Sequence, residues 1–153
     1  MAQIKSKIAQ QVEKDHDLLR QDIGDLKITF WEEVLPEDFS NWRLECIWQL
    51  RDFKNRLLKH FDLEEEGGFM QDVLNVAPQA ERQVQQLKAE HEQISAQLDE
   101  VLAELKEMPE KDAKSLDTIR TKLNDIMNTI RKHENEEHKL LQKAYYREYG
   151  GPA

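Results

Sequence analysis

Residues 116–144, LDTIRTKLNDIMNTIRKHENEEHKLLQKA, carry apolar side chains at Leu116, Ile119, Leu123, Ile126, Ile130, Leu140 and Ala144. Steps of three and four put these on one face of an α-helix, the face that is buried in a helical protein. Between Ile130 and Leu140 the same rhythm falls on His133 and Glu137. Two polar residues therefore stand at core-facing positions.

Outward from this stretch the pattern repeats. Ile4, Ile8, Val12, Leu19, Ile23, Leu26, Phe30 and Val34 form a first stripe in which His16 fills the one gap. Trp42, Cys46, Leu50, Phe53 and Leu57 form a second, and further steps of three and four reach His60 and Glu64. Val84, Leu87, Ile94, Leu98, Val101 and Leu105 form a third with His91 in line. Pro36, Gly67-Gly68 and Pro109 punctuate the stripes, and Asp38 or Ser40 is placed to cap the second helix. The expected helices span about 3–34, 40–66, 78–108 and 112–147, with boundaries good to ~2–4 residues. FMQDVLNVAP, residues 69–78, reads as a short turn and cap over the bundle end. The tail AYYREYGGPA is expected to fray after Tyr149. The simplest arrangement is an all-α, antiparallel up-down-up-down four-helix bundle, folded as a single domain over residues 1–153.

Composition agrees. The 153 residues are 35% charged and 39% hydrophobic, with 5 Gly and 4 Pro, a balance suited to amphipathic helices. A formal net charge of −9 argues against nucleic acid or an anionic membrane as partner, since phosphate binding needs clustered positive charge. The lone Cys46 excludes an internal disulfide and reads as a buried small hydrophobe. No stretch approaches the ~20 apolar residues of a membrane span, and the N-terminus has no apolar run of the signal-peptide kind, so a cytoplasmic protein is expected.

Ligands to one centre must share a height along the bundle. His16 lies about 18 residues before the expected end of its helix and His60 about 20 after the expected start of the next, roughly 27 and 30 Å at ~1.5 Å per residue. His91 and His133 lie about 17 and 21 residues from their connection, roughly 26 and 32 Å. The irregular connection between the second and third helices allows no such comparison.

Glutamate fills 19 of 153 positions, so one His with Glu four residues on would arise readily by chance. The pairs His60/Glu64 and His133/Glu137 gain weight from placement, one histidine per helix, each inside an apolar stripe. For any single histidine a hydrogen-bonded core role is the simpler reading. Four together, with two carboxylates, call for a common partner, because buried charge needs a counter-charge or a metal. His138 falls about 140° from His133 and reads as exposed, and Glu65, Glu66, Glu134 and Glu136 read as solvated charge. Trp31, Trp42, Trp48 and Phe69 read as core or rim packing.

Four imidazoles and two carboxylates are too many for one tetrahedral zinc and suit two ions bridged by the glutamates. Such ligation accepts iron, manganese or zinc, and iron is expected because a redox-active metal does more than hold helices together. Open positions on two ions would admit oxygen, peroxide or nitric oxide. No Gly-rich phosphate loop and no Cys pair offers a competing chemistry.

DHDLLRQDI (15–23), LLKHFDLEEEGGF (57–69), LKAEHEQI (87–94) and IRKHENEEHKLLQKAYY (130–146) together resemble the hemerythrin-like cation-binding, or HHE, domain over nearly the whole chain. The resemblance implies a four-helix bundle with an oxo- or hydroxo-bridged centre of two non-heme irons, held by His16, His60, Glu64, His91, His133 and Glu137, the glutamates bridging. It also implies a departure from oxygen-carrying hemerythrins, which have histidine and aspartate where this chain has Ser95 and His138. One imidazole fewer opens a coordination position and favours reaction with oxygen, peroxide or nitric oxide over simple carriage. Relatives that repair iron–sulfur centres carry an additional N-terminal Cys-bearing segment, and this chain looks like a stand-alone domain. The competing expectations are an iron or oxygen sensor or store without turnover, and a metal-free interaction module with satisfied core histidines.

Overall fold

The computed structural model describes residues 7–146. The expected helical residues before Lys7, including Ile4, and the expected fraying after Tyr149 lie outside them. Four long helices, α1 (Lys7–Phe30), α2 (Phe39–Glu65), α4 (Glu81–Lys106) and α5 (Ala113–Leu141), enclose the core, and a short α3 (Phe69–Val76) sits between α2 and α4 in the chain. α1 packs on α2 and α5, and α4 packs on α2 and α5, which closes the ring of an antiparallel bundle. There are no strands among the described residues, and none of their helices is long and apolar enough to cross a membrane.

α1 ends at Phe30, four residues short of the expectation at Val34. The cause lies far along the chain: Arg120 of α5 donates to the carbonyls of Phe30 and Glu32, and Trp42 Nε1 donates to that of Thr29 at 2.8 Å. These donors satisfy the carbonyls a helix end leaves open. Val34 is still buried, now from the connecting chain, and Leu35 before Pro36 is extended at ψ 149°. Asp38 is the N-cap of α2, though without a side-chain capping bond. Arg43 caps the far end of α4, donating to the carbonyls of Leu105 and Lys106. Asp112 caps α5 by accepting from the Lys114 N–H.

Residues 69–76 are an α-helix rather than the expected turn. Gly67 and Gly68 make the break. A Cβ on Gly67 would stand 2.4 Å from the Leu63 carbonyl oxygen, and Gly68 takes φ 102°, a conformation glycine adopts at little cost. The chain can then reverse within two residues and lay Phe69, Met70 and Val73 over the bundle end. α4 begins at Glu81, after a short 3-10 turn at Pro78–Ala80, and α5 passes into a π-helical turn at Gln142–Tyr146.

Candidate metal centre

Each of the four long helices brings one buried histidine to a common level, His16 on α1, His60 on α2, His91 on α4 and His133 on α5. The rings of His16 and His60 are 4.8 Å apart, as are those of His91 and His133. The link that sequence left open also closes, for His91 Nε2 stands 3.0 Å from Glu64 Oε1. All six expected site residues come together.

The two glutamates lie between the histidine pairs. Glu64 turns Oε2 to His60 Nε2 at 3.2 Å and to His16 Nε2 at 3.8 Å, and Oε1 to His91. Glu137 turns Oε1 to His16 Nε2 at 2.9 Å, and Oε2 to His133 Nε2 at 3.2 Å and His91 Nε2 at 3.8 Å. Two four-residue sets result, His16/His60/Glu64/Glu137 and Glu64/His91/His133/Glu137, each with its ligand atoms within 4.8 Å of one another. Both contain the same two carboxylates, each giving one oxygen to each side.

This arrangement is poorly satisfied by hydrogen bonds. His60 Nε2, both oxygens of Glu64 and Glu137 Oε2 are buried without a hydrogen-bond partner, although imidazole nitrogens crowd them. His91 Nε2 and His133 Nε2 face each other at 3.0 Å. Converging lone pairs in a dry interior are costly alone and suit a cation placed among them. The donor set therefore fits a metal.

Electrostatics point the same way. Burial, reinforced by the charge of Glu137, pushes the Glu64 carboxyl well above the usual carboxylate range. Burial also works against charge on Glu137, but polar contacts with Glu64, His133, His16 and His91 outweigh it and hold this carboxyl well below that range. The two carboxyls are thus pushed in opposite directions, as expected of two carboxylates in one dry site. Burial lowers the pKa of His60; at His133 burial is outweighed by Glu137 and Glu90, and the pKa is raised.

Around the six residues lies a layer of carboxylates that sequence reasoning missed. Nδ1–H of His60 donates to Asp15 at 3.2 Å, that of His91 to Glu65 at 2.5 Å and that of His133 to Glu90 at 2.7 Å. Protonation at Nδ1 leaves the Nε2 lone pair for the centre, the role such partners play beside metal-bound imidazoles. Glu65 was expected to be solvated and is half-buried. Glu134, also expected in solvent, is 4% exposed because α1 covers it, and burial raises its pKa. The available signal was the acid directly before each single histidine, Asp15-His16 and Glu90-His91, facing the neighbouring helix rather than its own stripe. Phe61 was missed too; its ring stacks on His91 at 3.8 Å. His138, Glu66 and Trp48 are exposed, and Trp42 and Phe69 are buried. Cys46 is buried, which raises its thiol pKa.

Residues 7–144 match the family model of the hemerythrin HHE cation-binding domain, and the chain belongs to that family. Among curated proteins and among solved structures no significant match was found. The chain is thus a hemerythrin-like helical bundle of a cation-binding family, with buried His/Glu sets able to hold metal.

Proposed function

We propose that the chain holds two iron ions, one at His16 and His60 and one at His91 and His133, with Glu64 and Glu137 bridging, and that the centre binds or reacts with oxygen, peroxide or nitric oxide. The observation that carries this reading is the sharing of both carboxylates by two otherwise separate histidine pairs. Bound iron would supply redox chemistry and coordination positions that six side chains leave open. The protein's part is to aim the imidazoles, three of them through Nδ1–H bonds to carboxylates, to offer carboxylate oxygens to both sides, and to keep bulk water out with Leu and Ile above and below.

The size of the ligand follows from access. A groove of about 370 Å³ between α2 and α4 is lined by Leu58, Phe61, Glu65, His91, Ser95 and Asp99. Ser95, small where oxygen carriers have an imidazole, and Phe61, stacked on His91, line it beside the buried residues, an approach that small ligands such as oxygen, nitric oxide or peroxide would use.

Purified protein should contain about two irons per chain and a near-ultraviolet oxo-bridge band that changes when peroxide or nitric oxide is added, and His60→Ala should lose the band and keep about one iron. Folded protein that takes up no iron when reconstituted would overturn the reading. A second reading, iron sensing or storage without turnover, is favoured by one feature: the polar layer divides the apolar core in two, so an ion there couples the halves. A large rise in melting temperature on iron binding with no consumption of peroxide or nitric oxide would select it.

A further inference from the structure

The three observed outer carboxylates obey one rule around the bundle. Asp15 of α1 supports His60 of α2, Glu65 of α2 supports His91 of α4, and Glu90 of α4 supports His133 of α5. Each helix serves the next in one rotational direction, and α5 packs back on α1. The rule calls for a carboxylate of α5 beside His16.

Glu134 of α5 faces α1 on that side, its oxygens not bonded to the His16 ring. Its Oε2 lies 3.4 Å from Nε of Arg20, which is one helical turn beyond His16 on α1, so the side chain reaches the α1 surface at the right height. Its Oε1 is buried and has no hydrogen-bond partner. Of the charges acting on it, His16 comes first, ahead of Arg20. An unpartnered buried carboxylate oxygen is costly unless it has a use, and a histidine N–H is the donor at hand. We propose that Glu134 is the fourth outer carboxylate, a positioning residue that accepts Nδ1–H from His16 and turns its Nε2 to the centre, completing a closed ring of support. This rests on the reading of the six buried residues as a metal centre.

The test uses the full chain, freed of metal and titrated with zinc, which is diamagnetic, and separately with ferrous iron without oxygen. Affinities are read by chelator competition, and the His16 tautomer by nitrogen-15 NMR of the zinc-loaded protein. Glu134→Leu should weaken the ion at His16 and His60 about 10- to 100-fold, the usual effect of removing an outer partner, and the Nδ1–H signal of His16 should move while those of the other three histidines stay. Glu134→Gln, whose amide oxygen still accepts, should recover most of the affinity, and Arg20→Ala should leave it unchanged. Wild-type affinity in Glu134→Leu, or an equal loss in Arg20→Ala, would overturn the inference. Should Glu134→Leu fail to fold, a wild-type His16 protonated at Nε2, or an Nδ1–H signal unmoved in Glu134→Gln, would overturn it instead. Wild-type protein that binds no metal at all would overturn the reading of the centre, a distinguishable result.

Discussion

The two apolar regions that flank the polar layer differ in what holds them. Among the described residues, beyond the histidines towards the α1–α2 and α4–α5 connections, 25 buried residues form one cluster that includes Phe30, Phe39, Trp42 and Phe53. On the other side, under α3, 12 of the described residues form a smaller cluster, of which Ala9, Ala77, Ala80 and Ala144 are alanines. The larger one holds most of the large buried side chains, each contributing roughly 1.5–3 kcal/mol when fully buried. Between the two lies the layer of buried His and Glu, whose repulsions in the absence of a cation work against the junction. One chain thus carries a half rich in large apolar side chains and a half whose docking is expected to depend more on the site.

The largest effect should come from breaking the larger half. Phe53→Ala is expected to cost about 3–5 kcal/mol in metal-free protein, by urea unfolding. Phe69→Ala, an equally buried ring in the capped half, should cost less than half of that without metal, because α3 opens locally there, and more once metal is bound. Equal losses in both states would end the distinction.

Metal removal sharpens it. At a hundredfold excess over its dissociation constant an ion that binds only the folded chain adds about 2.7 kcal/mol. Amide exchange should slow on loading chiefly in α3 and the last turns of α5, and little around Leu98 and Ile126. Uniform slowing along the chain would mean that the two regions unfold together.

Glu64→Gln separates function from stability. Because the raised pKa of Glu64 favours its neutral form without metal, the amide imitates that form, and metal-free stability should stay within about 1 kcal/mol of wild type while metal binding is lost. The same shift sets a pH dependence. An ion competes with a proton for that carboxyl, so affinity should fall as pH falls, and loading should release a proton to the buffer wherever the carboxyl carries one. Calorimetry in two buffers of different ionisation enthalpy reads the proton directly. The smallest change is expected at Asp112, whose carboxyl is lowered by bonds from Ser115 and Lys114. A lowered carboxyl stabilises above its unfolded pKa and stops doing so as pH falls through its folded one, so Asp112→Ala should remove a slight acid-side loss of stability.

The bundle and the convergence of six buried polar residues were legible because both are written in one period. His16, His60, Glu64, His91, His133 and Glu137 occupy stripe positions, and a stripe defines a shared interior. What stayed illegible depends on neighbours. Glu134 is one residue off its stripe and reads as solvated, yet α1 covers it. The early end of α1 is set by Arg120, 90 residues away. α3 has only 8 residues, too few to show a period, and its helix is fixed by packing over the bundle end. Where an outcome rests on contacts between elements, local pattern is silent.

The central claim, two ions sharing two carboxylates, is tested most directly by anaerobic titration of the metal-free chain with ferrous iron, counting ions per chain in wild type, His16→Ala and Glu137→Ala. The arrangement predicts saturation at two in wild type, one in His16→Ala, and none held tightly in Glu137→Ala, where both ions lose a bridge. Saturation of the wild type at one ion, or one tight ion retained in Glu137→Ala, would contradict it.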